Sequence, residues 1–242
     1  MTAQLLAITC DAHDPERLAG FWGHILAREV CDDPLGKLLL GSETQVGLRF
    51  VLDVAERAGT NRVHLHLTST SSAEQQHTVA VALELGAHHI DVGQLPDEGH
   101  VVLADPEANE FCVIEAGNSF LADCGFLGEL ACEGTREVGH FWAVALGWPL
   151  VWDRDQETAI QSPFGGTKVA WGGPPVAPNR GRNRQRFDLA LTVSDLATEV
   201  ARLVALGATV LNGPADGRAD LADLDGNEFS LTVGTPNHSS KR

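Results

Sequence analysis

Two histidines one residue apart, His64 and His66, stand in the run Val63-His64-Leu65-His66-Leu67. Side chains alternate between faces along a strand, so both imidazoles share one face with Thr68 while the three aliphatic residues take the other. Such a pair offers a general base, a proton shuttle or a hydrogen-bonding surface for a substrate. Two solvated or mutually bonded rings are the structural alternative. Arg180, Arg182, Arg184 and Arg186 form a basic segment that would steer an anion, although a loop entering a strand is also an ordinary place for arginine. Cys112 has no cation near it in sequence to favour a thiolate, which argues against a nucleophile. Trp148, Trp152 and Trp171 fall on or near short strands and could wall a site for a flat aromatic ligand. Trp22 and Trp142 read instead as core residues of helices. His88, His89 and His100 sit beside turns and read as solvated. There is no phosphate loop, dinucleotide fingerprint or His-Glu-x-x-His helix.

The elements that must position these groups follow from local pattern. Leu5 to Cys10 reads as a strand. Asp14 is placed to cap a helix that opens at Pro15, and Leu18, Phe21, Trp22 and Ile25 recur at helical spacing. Short strands are expected at about 29–32, 37–41 and 46–52, and the histidine strand at 62–68. A helix over 73–85 should stop at Gly86. Strands near 88–92 and 101–104 lead to a closing strand through Phe111 and Val113. Between the last two lies Asp105-Pro106-Glu107-Ala108-Asn109, which is turn chemistry. The order is βαβββ, then βαβββ.

That closing hairpin returns as Leu221-Ala222-Asp223-Leu224-Asp225-Gly226-Asn227-Glu228-Phe229. Phe141-Trp142 repeats Phe21-Trp22, Asn183-Arg184 repeats Asn61-Arg62, and Leu206-Gly207-Ala208 repeats Leu85-Gly86-Ala87. Insertions confined to loops are the mark of a duplication. The 242 residues therefore divide into domains at 1–118 and 119–235, with a polar tail at 236–242. The net charge of −16, from 17 basic and 33 acidic side chains, argues against nucleic acid or an anionic membrane as partner. Five scattered cysteines without a Cys-x-x-Cys pair, and no signal peptide or membrane span, point to the cytoplasm.

The segments Asp14-Pro15-Glu16-Arg17-Leu18-Ala19-Gly20-Phe21-Trp22, Asn61 to Leu67 and Ala104 to Cys112, with their second copies through Phe187-Asp188-Leu189 and Asp225 to Phe229, resemble the glyoxalase-like branch of the vicinal oxygen chelate superfamily. The resemblance covers nearly the whole chain. It implies an α+β fold of two tandem glyoxalase-like domains, with four βαβββ modules whose curved mixed sheets each enclose a cavity. Family enzymes that use a metal place His, Gln or Glu at set strand positions facing that cavity. Those positions are Ala7, His66 and Cys112 in the first copy and Glu129, Asp188 and Ser230 in the second. The fourth-strand position falls near Leu48–Arg49 and near Ala170–Trp171. Two or three ligands of mixed type are fewer than a catalytic metal needs, so no metal and no other cofactor is expected.

On this reading His64, His66, Glu129 and Asp188 carry the chemistry, and Arg49, Cys112, Trp152, Trp171, Arg186 and Ser230 bind substrate. Glu129 and Asp188 are expected to converge in one cavity and to raise one another's pKa, or else Arg186 pairs with them. The histidines are expected in the other cavity. The expected function is a metal-independent enzyme of lyase, isomerase or cyclase type acting on an organic, in one version aromatic, molecule. The alternative is a non-catalytic sequestration protein of the antibiotic-resistance kind, and the third is a metal-dependent lyase or dioxygenase. A monomer or homodimer is expected.

Overall fold

The computed structural model describes residues 3–55, 59–95, 98–179, 181–191 and 195–234. The polar tail expected at 236–242 lies outside them. Four modules follow one another, each a strand, a helix and three strands. The first comprises β1 (Gln4–Ala12), α1 (Pro15–Ile25), β2 (Val30–Asp33), β3 (Gly36–Leu39) and β4 (Gly47–Leu52). The second comprises β5 (Val63–Leu67), α2 (Ser72–Glu84), β6 (His88–His89), β7 (Val101–Ala104) and β8 (Glu110–Val113). The third comprises β9 (Leu127–Cys132), α3 (Arg136–Leu146), β10 (Leu150–Arg154), β11 (Glu157–Gln161) and β12 (Lys168–Trp171). The fourth comprises β13 (Gln185–Leu191), α4 (Leu196–Ala205), β14 (Thr209–Ala215), β15 (Arg218–Ala222) and β16 (Glu228–Val233).

The local signals act as expected. Asp14 caps α1 by accepting from the Arg17 amide at 3.0 Å, and Pro15 occupies the first turn. Leu18, Phe21, Trp22 and Ile25 are all buried. The repeated hairpin is a structural clamp. Asp105 accepts from the Trp22 indole at 3.0 Å and from the Asn109 amide at 2.9 Å, so one buried carboxylate ties helix to turn. Asp223 does the same for Trp142 and Asn227, at 3.0 and 2.9 Å. Burial pushes both carboxyls above their ordinary range, against the pull of these hydrogen bonds.

The modules pair across the duplication. One eight-stranded mixed sheet has the order β14-β15-β16-β13-β1-β4-β3-β2, and the other β10-β11-β12-β9-β5-β8-β7-β6. The first sheet joins the first and fourth modules through antiparallel β1 and β13. The second joins the two middle modules through antiparallel β5 and β9. Each sheet therefore takes one module from either half of the chain. A module leaves the outer edge of its first strand unpaired, and pairing two such edges satisfies both. Leu65, Leu67, Leu130 and Val169 of the second sheet point into the main core beneath the helices. No described helix is long and apolar enough to cross a membrane.

Candidate functional site

Sharing of the sheets redistributes the expected residues. Glu129 and Asp188 do not converge, because β9 lies in the second sheet and β13 in the first. His66 and Glu129, expected in different cavities, are direct register partners. A continuous row crosses four neighbouring strands of the second sheet: Lys168 on β12, Glu129 on β9, His66 on β5 and Cys112 on β8. Alternation sets this row on the face away from the helices. His64 stands one row along, opposite Ala131, which is itself opposite Ala170.

A cavity of about 500 Å³ opens over this face. Glu129, Ala131 and Ala170 form its floor, where the two alanines keep the surface low. Half-buried Trp152 and Phe120 form a wall, with ring centroids 5.8 Å apart and planes at 80°. His64, Arg62, Glu133 and Glu157 also border it. Trp171 borders it too, but it is fully buried with the helix-side core and lies against Gly139 of α3. Of the expected aromatic contacts, then, Trp152 walls the cavity while Trp171 belongs to the core.

His66 Nδ1 lies 2.7 Å from Glu129 Oε2. Burial works against an imidazolium here, but Cys112 and Glu129 on its two sides outweigh it and raise His66 to about 10. At neutral pH the pair is an imidazolium on a carboxylate. His64 differs. Its Nε2 is 3.2 Å from the Asn61 carbonyl oxygen. A carbonyl only accepts, so Nε2 carries the proton and Nδ1 keeps its lone pair. Burial lowers the pKa of His64; Glu110 opposes this and the neighbouring His66 charge adds to it. Two histidines on one strand are thus pushed in opposite directions, one towards holding a proton and one towards lacking it.

The first sheet holds the remaining candidates in closed networks. Arg49 donates to both oxygens of Asp33, at 3.1 and 3.3 Å, and its other nitrogen pairs with Asp188. Arg186 does not pair with Asp188 but forks onto Asp11 at 2.6 and 2.7 Å. Arg182 also reaches Asp11, and Arg184 donates to the Asp11 carbonyl. Ser230 donates to Asp220 and accepts from Arg218. All four of Arg49, Asp188, Arg186 and Ser230 are buried. Arg49 and Asp188 neutralise one another and Arg186 is neutralised by Asp11, partners far apart in sequence.

The metal of the superfamily's metal enzymes is a poor fit to either row. In the second sheet Glu129 is engaged by His66, and its other neighbour in register is a lysine. In the first, Asp188 is engaged by a guanidinium and flanked in register by Ala7 and Ser230. Among the described residues no group of three His, Cys, Asp or Glu side chains is placed to hold a metal ion. Sequence reasoning missed Lys168 and Phe120. The signal for Lys168 was its place on a strand parallel to that of Glu129, two residues before the position taken as equivalent.

The model of the glyoxalase-like domain matches residues 7–114 and again 129–232. Glyoxalase I from Zea mays superposes with a TM-score of 0.69 at 15% identity, covering 97% of this chain and 94% of that one. A putative dioxygenase from Bacillus subtilis subsp. subtilis str. 168 gives a TM-score of 0.58 at 12% identity, covering 98% and 87%. At such identities the likeness concerns the fold alone. No curated protein matches the sequence. With the domain present twice, and with the four-module architecture built around two open sheets, the chain belongs to the glyoxalase-like family.

Proposed function

We propose that the second-sheet cavity binds a small, flat aromatic molecule and moves a proton on it without a resident metal. The observation that carries this reading is the His66–Glu129 pair under the cavity, with neutral His64 beside it. His64 Nδ1 takes a proton from a carbon or hydroxyl of the substrate. The His66 imidazolium passes its proton through the Glu129 carboxylate, which faces the cavity, to a neighbouring atom of the substrate, and the proton taken by His64 then returns to His66 through solvent. A proton lost at one atom and gained at the next is an isomerisation; loss of a leaving group instead makes a lyase. The aromatic wall at Trp152 supports a flat substrate. Five free cysteines support a reducing, cytoplasmic setting.

Carbon-acid exchange tests it. The protein, treated with chelator, is incubated with 2-tetralone in D2O, and NMR follows loss of the protons next to the carbonyl. Exchange well above background, lost in His64→Gln and in Glu129→Gln, is expected. Stoichiometric binding with no exchange of this or related aryl ketones would instead favour sequestration, the second reading, which the enclosed aromatic wall also supports.

A further inference from the structure

The segment between the halves of the chain lies on the second sheet rather than in solvent. Leu121 and Cys124 pack with Val102, Cys112 and Ile114 in a small apolar cluster separate from the main core, with Phe120 against it. Cys112 belongs to the row described above, so this linker covers one end of that row. Phe120 also covers the other end. The Lys168 ammonium sits 4.4 Å from the centroid of the Phe120 ring and donates to the Phe120 carbonyl. Among the described residues, Lys168 has no carboxylate within ion-pair distance, although Glu129 is its register partner. A half-buried ammonium is thus held by a ring face and a single carbonyl, both from one residue.

These contacts describe a ligand as well as a residue. A ring face on Lys168, an edge towards Trp152 and an oxygen acceptor on the ammonium are what an aromatic acid would present. A carboxylate would satisfy the ammonium better than a carbonyl, because both partners are charged. The cavity mouth adds a restriction. Glu133 and Glu157 border it, so a second acidic group there meets like charge. Gly117, near the start of the linker, has φ at +86°, a backbone setting that glycine adopts without strain, and the turn after it is held by Asn118, which donates to Glu115 and accepts from the Leu121 amide, both at 3.2 Å. Its far end is fixed by Gln45, which donates to the Cys124 carbonyl at 2.8 Å and accepts from Leu127 at 3.0 Å.

We infer that Lys168 recognises the single acidic group of an aromatic ligand, and that Phe120 occupies the place the ring of that ligand takes. This rests on the second-sheet cavity being the ligand site. Binding swings the Gly117 end of the linker aside and uncovers Lys168, His66 and Cys112 together.

Calorimetry on the full chain with 2-naphthoate and with 2-naphthylmethylamine tests the inference. The naphthoate should bind at least about tenfold more tightly than the amine, as one charge-assisted contact implies. Lys168→Met should erase that preference, Lys168→Arg should keep it, and Phe120→Ala should tighten naphthoate binding several-fold by removing the internal competitor. Equal affinity for the two probes, a preference unmoved in Lys168→Met, or weaker naphthoate binding in Phe120→Ala would overturn it. If the amine binds in a Trp152-dependent way while the naphthoate does not, the assignment of Lys168 falls and the cavity reading stands. If neither probe binds, or Trp152→Ala affects neither, both fall.

Discussion

His66 and Glu129 lie on adjacent antiparallel strands from opposite halves of the chain, and their side chains meet at 2.7 Å. The folded state raises the His66 pKa from its ordinary 6.5 to about 10. The folded protein therefore holds a proton that the unfolded chain releases. Stability from this pair is complete below about pH 6.5 and is lost as pH rises through about 10. The melting temperature of the native chain should fall between pH 7 and 10 more steeply than that of His66→Gln. NMR titration should find one imidazole still protonated at pH 8. Matching slopes for the two proteins would remove the pair from the account.

His64 has the opposite sign. Burial favours its neutral form, so the unfolded chain binds the proton more readily. Stability should decline as pH falls below about 6.5, and His64→Gln should flatten that acid limb. If His64 is the base, proton exchange on a carbon acid should fall only at lower pH, through its depressed folded-state pKa. Exchange that keeps its full rate in His64→Gln would rule it out as the base.

Arg49 neutralises Asp33 and Asp188 in a buried site. Arg49→Met leaves two carboxylates without a partner and should cost about 3–5 kcal/mol in denaturant unfolding. Asp188→Asn should also destabilise. Neither change should alter the affinity of an aromatic probe for the second-sheet cavity beyond about twofold, because Asp188 is on the other sheet. This departs from the reading of the sequence, which placed Asp188 among the residues that carry the chemistry. A probe affinity that collapses in Asp188→Asn would restore it.

Asp223→Ala removes the acceptor for the Trp142 indole and for the Asn227 amide, in a nearly dry environment. The Asp225 amide and the Asn227 side chain lose the same acceptor, and the stranded donors together should cost about 2–5 kcal/mol, measured by urea denaturation. Asp105→Ala should do the same in its module. A loss under about 0.5 kcal/mol at either would mean that the repeated hairpin needs no clamp.

What the sequence disclosed was what depends on neighbours in the chain. The helix from Pro15, the alternation around His64 and His66 and the duplicated hairpin each write their structure locally. The alternation correctly set both imidazoles away from the helix side. Module partnership is not local. Nothing in β1 or β5 says which of the three other first strands completes its edge. The errors about His66, Glu129 and Asp188 follow from that choice. Once β5 pairs with β9, His66 meets Glu129; once β1 pairs with β13, Asp188 falls within reach of Arg49. Lys168 was missed for another reason: its place beside Glu129 depends on the register of β12 against β9 within one module, and its place beneath Phe120 on a contact across 48 residues.

The exchange of modules between the two sheets also bears on symmetry. Two identical half-chains could build the same pair of sheets, each lending a module to the other about a two-fold axis. Both sites of such a pair would be encoded by one sequence, and any substitution that improved one would be forced on its twin. Here the halves are joined in one chain, so their encounter is set by the length of the tether and not by the concentration of subunits. The obligation to be identical is gone. One sheet has been free to fill with Asp33, Arg49, Asp188, Arg186 and Asp11, and the other to keep an open floor. The twelve residues of connection that made this divergence permissible, 115–126, are also the ones that lie across the open site.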